Sequence, residues 1–146
     1  MLEYLLIFIM GGTPLIEGRL AVVYAVASGL NLWYAFPLAI LGNLIIIPIT
    51  FWLLNWAHFS DIVYKLFGKK FEKRIKKYSR EFEIWEEIAL LLFVAIPLPV
   101  TGAFTAIAIS RILNLKVRKS GFVIGLGVIS ACTIALLLSL GIISLL

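Results

Sequence analysis

The sequence predicts an all-α integral membrane protein, an inverted repeat in which each half is a re-entrant helical hairpin followed by a transmembrane helix. Three observations carry that expectation. Hydrophobic residues make up 62% of the chain and the mean hydropathy is +1.08, whereas an ordinary soluble domain is about 45–50% apolar. Two apolar stretches are long enough to cross a bilayer, while two others break midway at glycines and prolines. Finally, a shift of 83 residues carries the first half onto the second without a gap.

A spanning helix needs roughly 20 apolar residues for about 30 Å of hydrocarbon. Residues 33–56 and 120–145 meet this requirement. Pro37 falls near the start of the first stretch, and Pro48 lies inside it, where a kink is expected. The remaining apolar segments are shorter. Residues 2–10 stop at Gly11-Gly12-Thr13-Pro14 before a helical pattern resumes, and residues 84–96 stop at Pro97-Leu98-Pro99 before another resumes. Pieces of about 10–17 residues rise only ~15–25 Å as helices. Each pair is therefore either one kinked span or a hairpin that leaves on the side it entered.

Charge chooses between these. Of 13 Lys and Arg, eight lie between Lys65 and Arg80, four are Arg111, Lys116, Arg118 and Lys119, and the last is Arg19. Basic clusters beside spanning helices mark the cytoplasmic side. Only if 84–113 is a hairpin do both clusters face the cytoplasm. The same reasoning makes 2–30 a hairpin and puts both termini outside, in a multi-pass protein of the cell membrane. Between the halves, residues 57–83 place Ile62, Leu66, Phe67, Phe71, Ile75, Tyr78 and Phe82 at helical spacing with basic residues opposite. This predicts a cytoplasmic amphipathic helix on anionic inner-leaflet lipid. Ser79, followed by Glu81, Glu83, Glu86 and Glu87, reads as the start of the next helix. The single domain then divides into repeat one (1–56), linker (57–83) and repeat two (84–146).

In the 83-residue echo, Pro14 meets Pro97, Asn31 meets Asn114 and Gly42 meets Gly125. Apolar matches are cheap in this composition, but these three are not. Inverted repeats with broken helices near the bilayer middle are a transporter layout. Thr13 reads as an N-cap and Pro14 as the first residue of the resumed helix. Pro97 and Pro99 make the matching break, closely followed by Thr101, Gly102 and Thr105. Irregular backbone at that depth needs protein or water to satisfy it, so the two tips are expected to meet, with two positive helix ends converging.

Glu17 and Arg19 lie within two turns of the first tip. A charge at the bilayer centre costs on the order of 2.5–3.5 kcal/mol on insertion scales. Residues two apart do not share a helix face, so one of the pair is expected to look elsewhere: to the second hairpin, a partner subunit, water or substrate. Arg111, at the exit of the second hairpin, either joins the site or snorkels to the surface. The hydroxyls of Thr101 and Thr105 are either ligands or partners of freed carbonyls.

The motifs exclude much. One cysteine, Cys132, forms no internal disulfide, and the single histidine, His58, stands without a Cys/His cluster. No metal, cofactor, nucleic acid or enzymatic activity is expected, since no nucleophile–base pair or nucleotide-binding motif is present. Two spans and two hairpins make a thin shell, which predicts a homodimer.

The segments TPLIEGRLAV, LGN and AIPLPVTGAFTAIAI together resemble the small multidrug export family of prokaryotic membrane proteins. The resemblance covers nearly the whole chain. It rests most on P-x-x-E-x-R at Pro14, Glu17 and Arg19, and on P-x-P-x-T-G at Pro97, Pro99, Thr101 and Gly102. Its hairpin pair is also similar in architecture to the DedA family, which the resemblance links to polyprenyl-phosphate lipid carriers. The function expected first is a small transporter or flippase of an amphiphilic, anionic, phosphate-bearing substrate, with Glu17 as proton carrier. The alternatives are proton-coupled export of lipophilic cations, as the family label implies, and a non-transporting membrane scaffold.

Overall fold

A computed structural model of the chain describes residues 1–14, 16–56, 79–96, 102–113 and 115–145. They form six α-helices: α1 (Leu2–Gly11), α2 (Glu17–Ala27), α3 (Leu32–Trp56), α4 (Ser79–Ala95), α5 (Ala103–Ile112) and α6 (Val117–Leu145). The two long apolar stretches become α3 and α6, one residue and three residues longer at their starts than the hydropathy indicates. α3 continues through both Pro37 and Pro48. α4 is described from Ser79 onward, and the expected helix start there borders residues outside the description. The amphipathic linker lies outside the described residues up to position 78, and so do Pro97, Pro99 and Thr101.

α3 and α6 are apolar and long enough to cross a membrane, with mean hydropathies of 2.1 and 2.4 over their richest windows. Only 33% of each window is buried. Leu41, Ile45, Ile49 and Leu53 make an exposed stripe at i, i+4 spacing on α3, and Phe122, Leu126, Ile129 and Leu137 are exposed on α6. A soluble core helix would bury such faces. An apolar outer surface over a packed interior is what lipid as solvent requires.

The interior is built around the two short helices. α2 packs against α1, α3 and α6, while α5 packs against α3, α4 and α6. Ala21 and Ala25 of α2, and Ala103 and Ala106 of α5, are completely buried. Small residues at these positions let backbones approach closely, the means of helix association available in lipid. Gly11 of α1 lies against the backbone of Ala39, and Gly42 of α3 lies against the Phe8 carbonyl. Neither leaves room for a β-carbon.

Helix directions follow from pairwise contacts. Tyr4 meets Tyr34 edge to face at 6.2 Å, and Gly11 and Gly12 meet Ala39 and Gly42, so α1 and α3 run the same way. Glu87 meets Lys119 and Val94 meets Gly127, so α4 and α6 also run the same way. The intervening helices α2 and α5 bring the chain back. Leu44 faces Gly125 whereas Phe51 faces Gly121, so α3 and α6 are antiparallel.

Candidate functional site: an ion pair at the α4–α5 break

The turn after α1 is longer than the sequence suggests. Thr13 does not cap α2. Its hydroxyl donates to the Met10 carbonyl at 2.8 Å and closes the end of α1. Pro14 is an exposed turn residue rather than the first helical residue. α2 begins at Glu17 with Ile16 as its N-cap. The physical reason is that the Thr13 carbonyl accepts from the Glu17 N–H at 3.1 Å, a bond that precedes the first turn of α2.

Glu17 has a left-handed backbone, φ +53. For a residue with a β-carbon this costs about 1–2 kcal/mol. The conformation turns its side chain off the ordinary helical course, and the expectation that Glu17 and Arg19 cannot share a face fails for that reason. Arg19 Nη2 donates to Glu17 Oε2 at 2.8 Å, in a pair whose side chains are only 13% and 6% exposed. Both residues also reach the second half. Arg19 Nη1 donates to the Ile96 carbonyl at 3.4 Å, just past the end of α4. The Glu17 carboxylate lies against the α-carbon of Gly102, the N-cap of α5, in the space a β-carbon would fill.

The electrostatics of this arrangement are matched. Unpaired carbonyls make a helix C-terminus negative, and unpaired N–H groups make an N-terminus positive. Arg19 sits at the C-terminal end of α4, and Glu17 at the N-terminal end of α5. The positive end of α5, expected to point at an open meeting place, is met by the Glu17 carboxylate.

Between the two charges, Gly18 packs into α3 and α6. A β-carbon there would lie 2.8 Å from Cys132 Sγ and 3.1 Å from the Ala39 carbonyl oxygen. Asn43 Nδ2 lines the same spot at 3.4 Å. Asn43 is 1% exposed, and its Oδ1 is buried without a hydrogen-bond partner. Asn43 was not expected at the site. Its signal in the sequence was an amide in the middle of an apolar span, since a buried amide needs partners.

Thr105 is half-buried in the first turn of α5, three residues beyond Gly102. Arg111 belongs elsewhere. It lies nine residues along α5 from Gly102, about 14 Å at helical rise, and its Nη2 donates to Asn55 Oδ1 at 2.9 Å.

Apolar-faced helices around a buried ion pair at a helix break define a helical membrane protein with an internal charged centre. Residues 17–134 match the model of a family described as "Putative small multi-drug export protein", and the chain belongs to that family. The match begins at Glu17 and contains Arg19, Asn43, Gly102 and Cys132; Thr13 and Pro14 precede it. No curated protein and no solved structure matches the chain. The family description places the chain among membrane export proteins.

Proposed function

We propose that the protein is a small alternating-access transporter or flippase of the cell membrane, moving an amphiphilic anion that bears a phosphate or a similar group. In this reading the α1–α2 and α4–α5 pairs are re-entrant hairpins of two inverted repeats, which is also the extent of the likeness to the DedA family. The parallel courses of α1 with α3 and of α4 with α6, and the antiparallel α3 and α6, support it. The linker is cytoplasmic on anionic lipid, both termini are outside, and the working unit is a homodimer.

One observation carries the chemistry: a half-buried guanidinium of repeat one bridges a buried carboxylate at 2.8 Å and the broken helix of repeat two. When Glu17 takes a proton, its hold on Arg19 Nη2 weakens, and the positive end of α5 loses its counter-charge. Arg19 and that helix end then favour an anion in the carboxylate's place. Proton and anion occupy the centre together, and the site returns to the ion pair when both leave. The family description motivates a second reading, in which Glu17 exchanges its proton for a lipophilic cation. The Arg19 guanidinium beside the carboxylate repels such a cation, so the geometry favours the anion.

The test is a mutant cycle in proteoliposomes. Wild type, Glu17→Gln, Arg19→Gln and the double variant are assayed with a fluorescent lipid phosphate and a fluorescent cation, each under an imposed proton gradient. Lipid-phosphate movement that depends on the gradient and is lost in Glu17→Gln is expected. Movement of the cation alone would select the second reading. A double variant that is stable and fully active would make the pair architecture only, as in a scaffold.

A further inference from the structure

The end of the molecule away from the ion pair carries a second feature. A groove of about 510 Å3 runs between the last turns of α3 and the first turns of α6. Ile47, Phe51 and Trp52 form one wall, and Val117 and Gly121 form the other. Asn55 and Arg118 line its end, beside the first turn of α6. The volume falls within the range of about 300–1,000 Å3 typical of sites that enclose a small ligand.

Among the described residues, Arg118 lines that end and Arg111 reaches it through Asn55, neither with a carboxylate partner. Arg111 is held by the neutral Asn55, and its Nε is buried with no hydrogen-bond partner. Arg118 is exposed. Among the described residues the ion pair at this end is Lys119 with Glu87, at 3.6 Å, which leaves both arginines unneutralised. A buried guanidinium N–H without an acceptor is costly, and guanidinium forks match phosphate oxygens. The first free N–H groups of α6 point toward the same end and favour an anion.

We infer that the α3–α6 groove binds one phosphate-headed lipid, with a chain between Phe51 and Gly121 and the phosphate on Arg118 and Arg111. Apolar walls ending in unpaired arginines are complementary to a chain ending in a phosphate, and hostile to a lipophilic cation. The site is distinct from the Glu17–Arg19 centre, and its occupancy does not depend on transport.

Native mass spectrometry of the detergent-solubilised full chain tests this, with dioleoyl phosphatidic acid and dioleoyl phosphatidylcholine as probes. One phosphatidic acid is expected to bind at least tenfold more tightly than phosphatidylcholine. Arg118→Gln should lower that affinity at least fivefold, and Arg118→Lys, which keeps the charge but loses the fork, should lower it by less. Gly121→Leu alters no charge and extends a side chain toward the groove; a β-carbon at 121 makes ordinary contacts with Phe51 at 3.7 Å and Ile47 at 4.0 Å, and thermal unfolding of the variant checks that it is folded. It too should lower affinity at least fivefold, whereas Glu17→Gln should leave it unchanged. Equal binding of the two lipids, or phosphatidic acid binding undiminished in Gly121→Leu, overturns the proposal. Displacement by inorganic phosphate alone overturns it as well, because the chain would then contribute nothing. Loss of transport with intact lipid binding would bear on the Glu17 centre and leave the groove standing.

Discussion

The Glu17 carboxylate fills the space that a β-carbon on Gly102 would need. Residues 85 positions apart are thereby fitted to each other at the start of α5. The absence of a side chain at 102 lets an acid from the first half of the chain reach the N-terminal end of a helix in the second half. Gly102→Ala would push the carboxylate aside without changing any charge. Because the displaced group is the far end of a flexible side chain, the stability cost should be small, about 1 kcal/mol. Transport should nevertheless fall at least tenfold if the carboxylate must sit on α5. Thermal unfolding and proteoliposome flux on the same preparation check this. Unchanged flux would mean that the contact is incidental.

The ion pair has its own signature in stability. Removing one partner of a buried pair leaves an uncompensated charge and costs about 3–5 kcal/mol, while removing both is often close to neutral. Arg19→Gln should therefore destabilise strongly, and Glu17→Gln with Arg19→Gln should recover much of the loss. Arg19→Lys separates charge from geometry. Lysine can meet Glu17 as a point charge but cannot bond Glu17 and the Ile96 carbonyl as a planar fork. It should fold with a loss of about 1–2 kcal/mol yet transport at least tenfold less, measured as initial flux at matched protein density.

The glycines aligned by the 83-residue echo are not equivalent. A β-carbon on Gly42 would collide with the Phe8 backbone carbonyl, which cannot rotate away, whereas one on Gly125 meets only the end of Leu44 at 3.4 Å. Gly42→Ala should cost about 2–3 kcal/mol or prevent assembly of α1 on α3. Gly125→Ala should stay within about 0.5 kcal/mol of wild type. Chemical unfolding in mild detergent distinguishes the two. Equal effects would mean that α1 does not cross α3 as closely as described.

Much of the fold was legible because lipid imposes simple rules. Uninterrupted apolar runs became α3 and α6, and Gly-Gly-Thr-Pro and Pro-Leu-Pro marked the ends of α1 and α4. Glu17 and Arg19 stood out because buried charge is costly; of the four places one of them was expected to look (the second hairpin, a partner subunit, water or substrate), both touch the second half while also pairing with each other. What was not legible depends on local conformation or on distant partners. Nothing in GGTPLIEGR announces that Thr13 closes α1 or that Glu17 takes a left-handed backbone, and that single dihedral decides whether residues 17 and 19 can pair. The partner of Arg111 is Asn55, on another helix, which no spacing rule identifies. Asn43 was hidden by its surroundings, an amide whose role appears only when Gly18 packs beside it.

Topology is the remaining expectation, and Cys132 makes its test clean. Its side chain is completely buried against Gly18, so a maleimide should leave it unlabelled in the folded protein and label it only after denaturation. Cys132→Ala removes one sulfur from a packed interior, at a cost of about 1 kcal/mol, and provides a background without thiols. Tyr34, at the start of α3, and Lys116, just before α6, are both exposed. In the Cys132→Ala background, Tyr34→Cys should react with a membrane-impermeant maleimide added outside intact cells. Lys116→Cys should react only after the membrane is opened. That outcome requires the α4–α5 pair to return to the side it left, because the basic residues flanking it would then share the cytoplasmic face. Labelling of Lys116→Cys from outside would instead make α4 and α5 two halves of one crossing, and the two repeats would no longer be inverted copies.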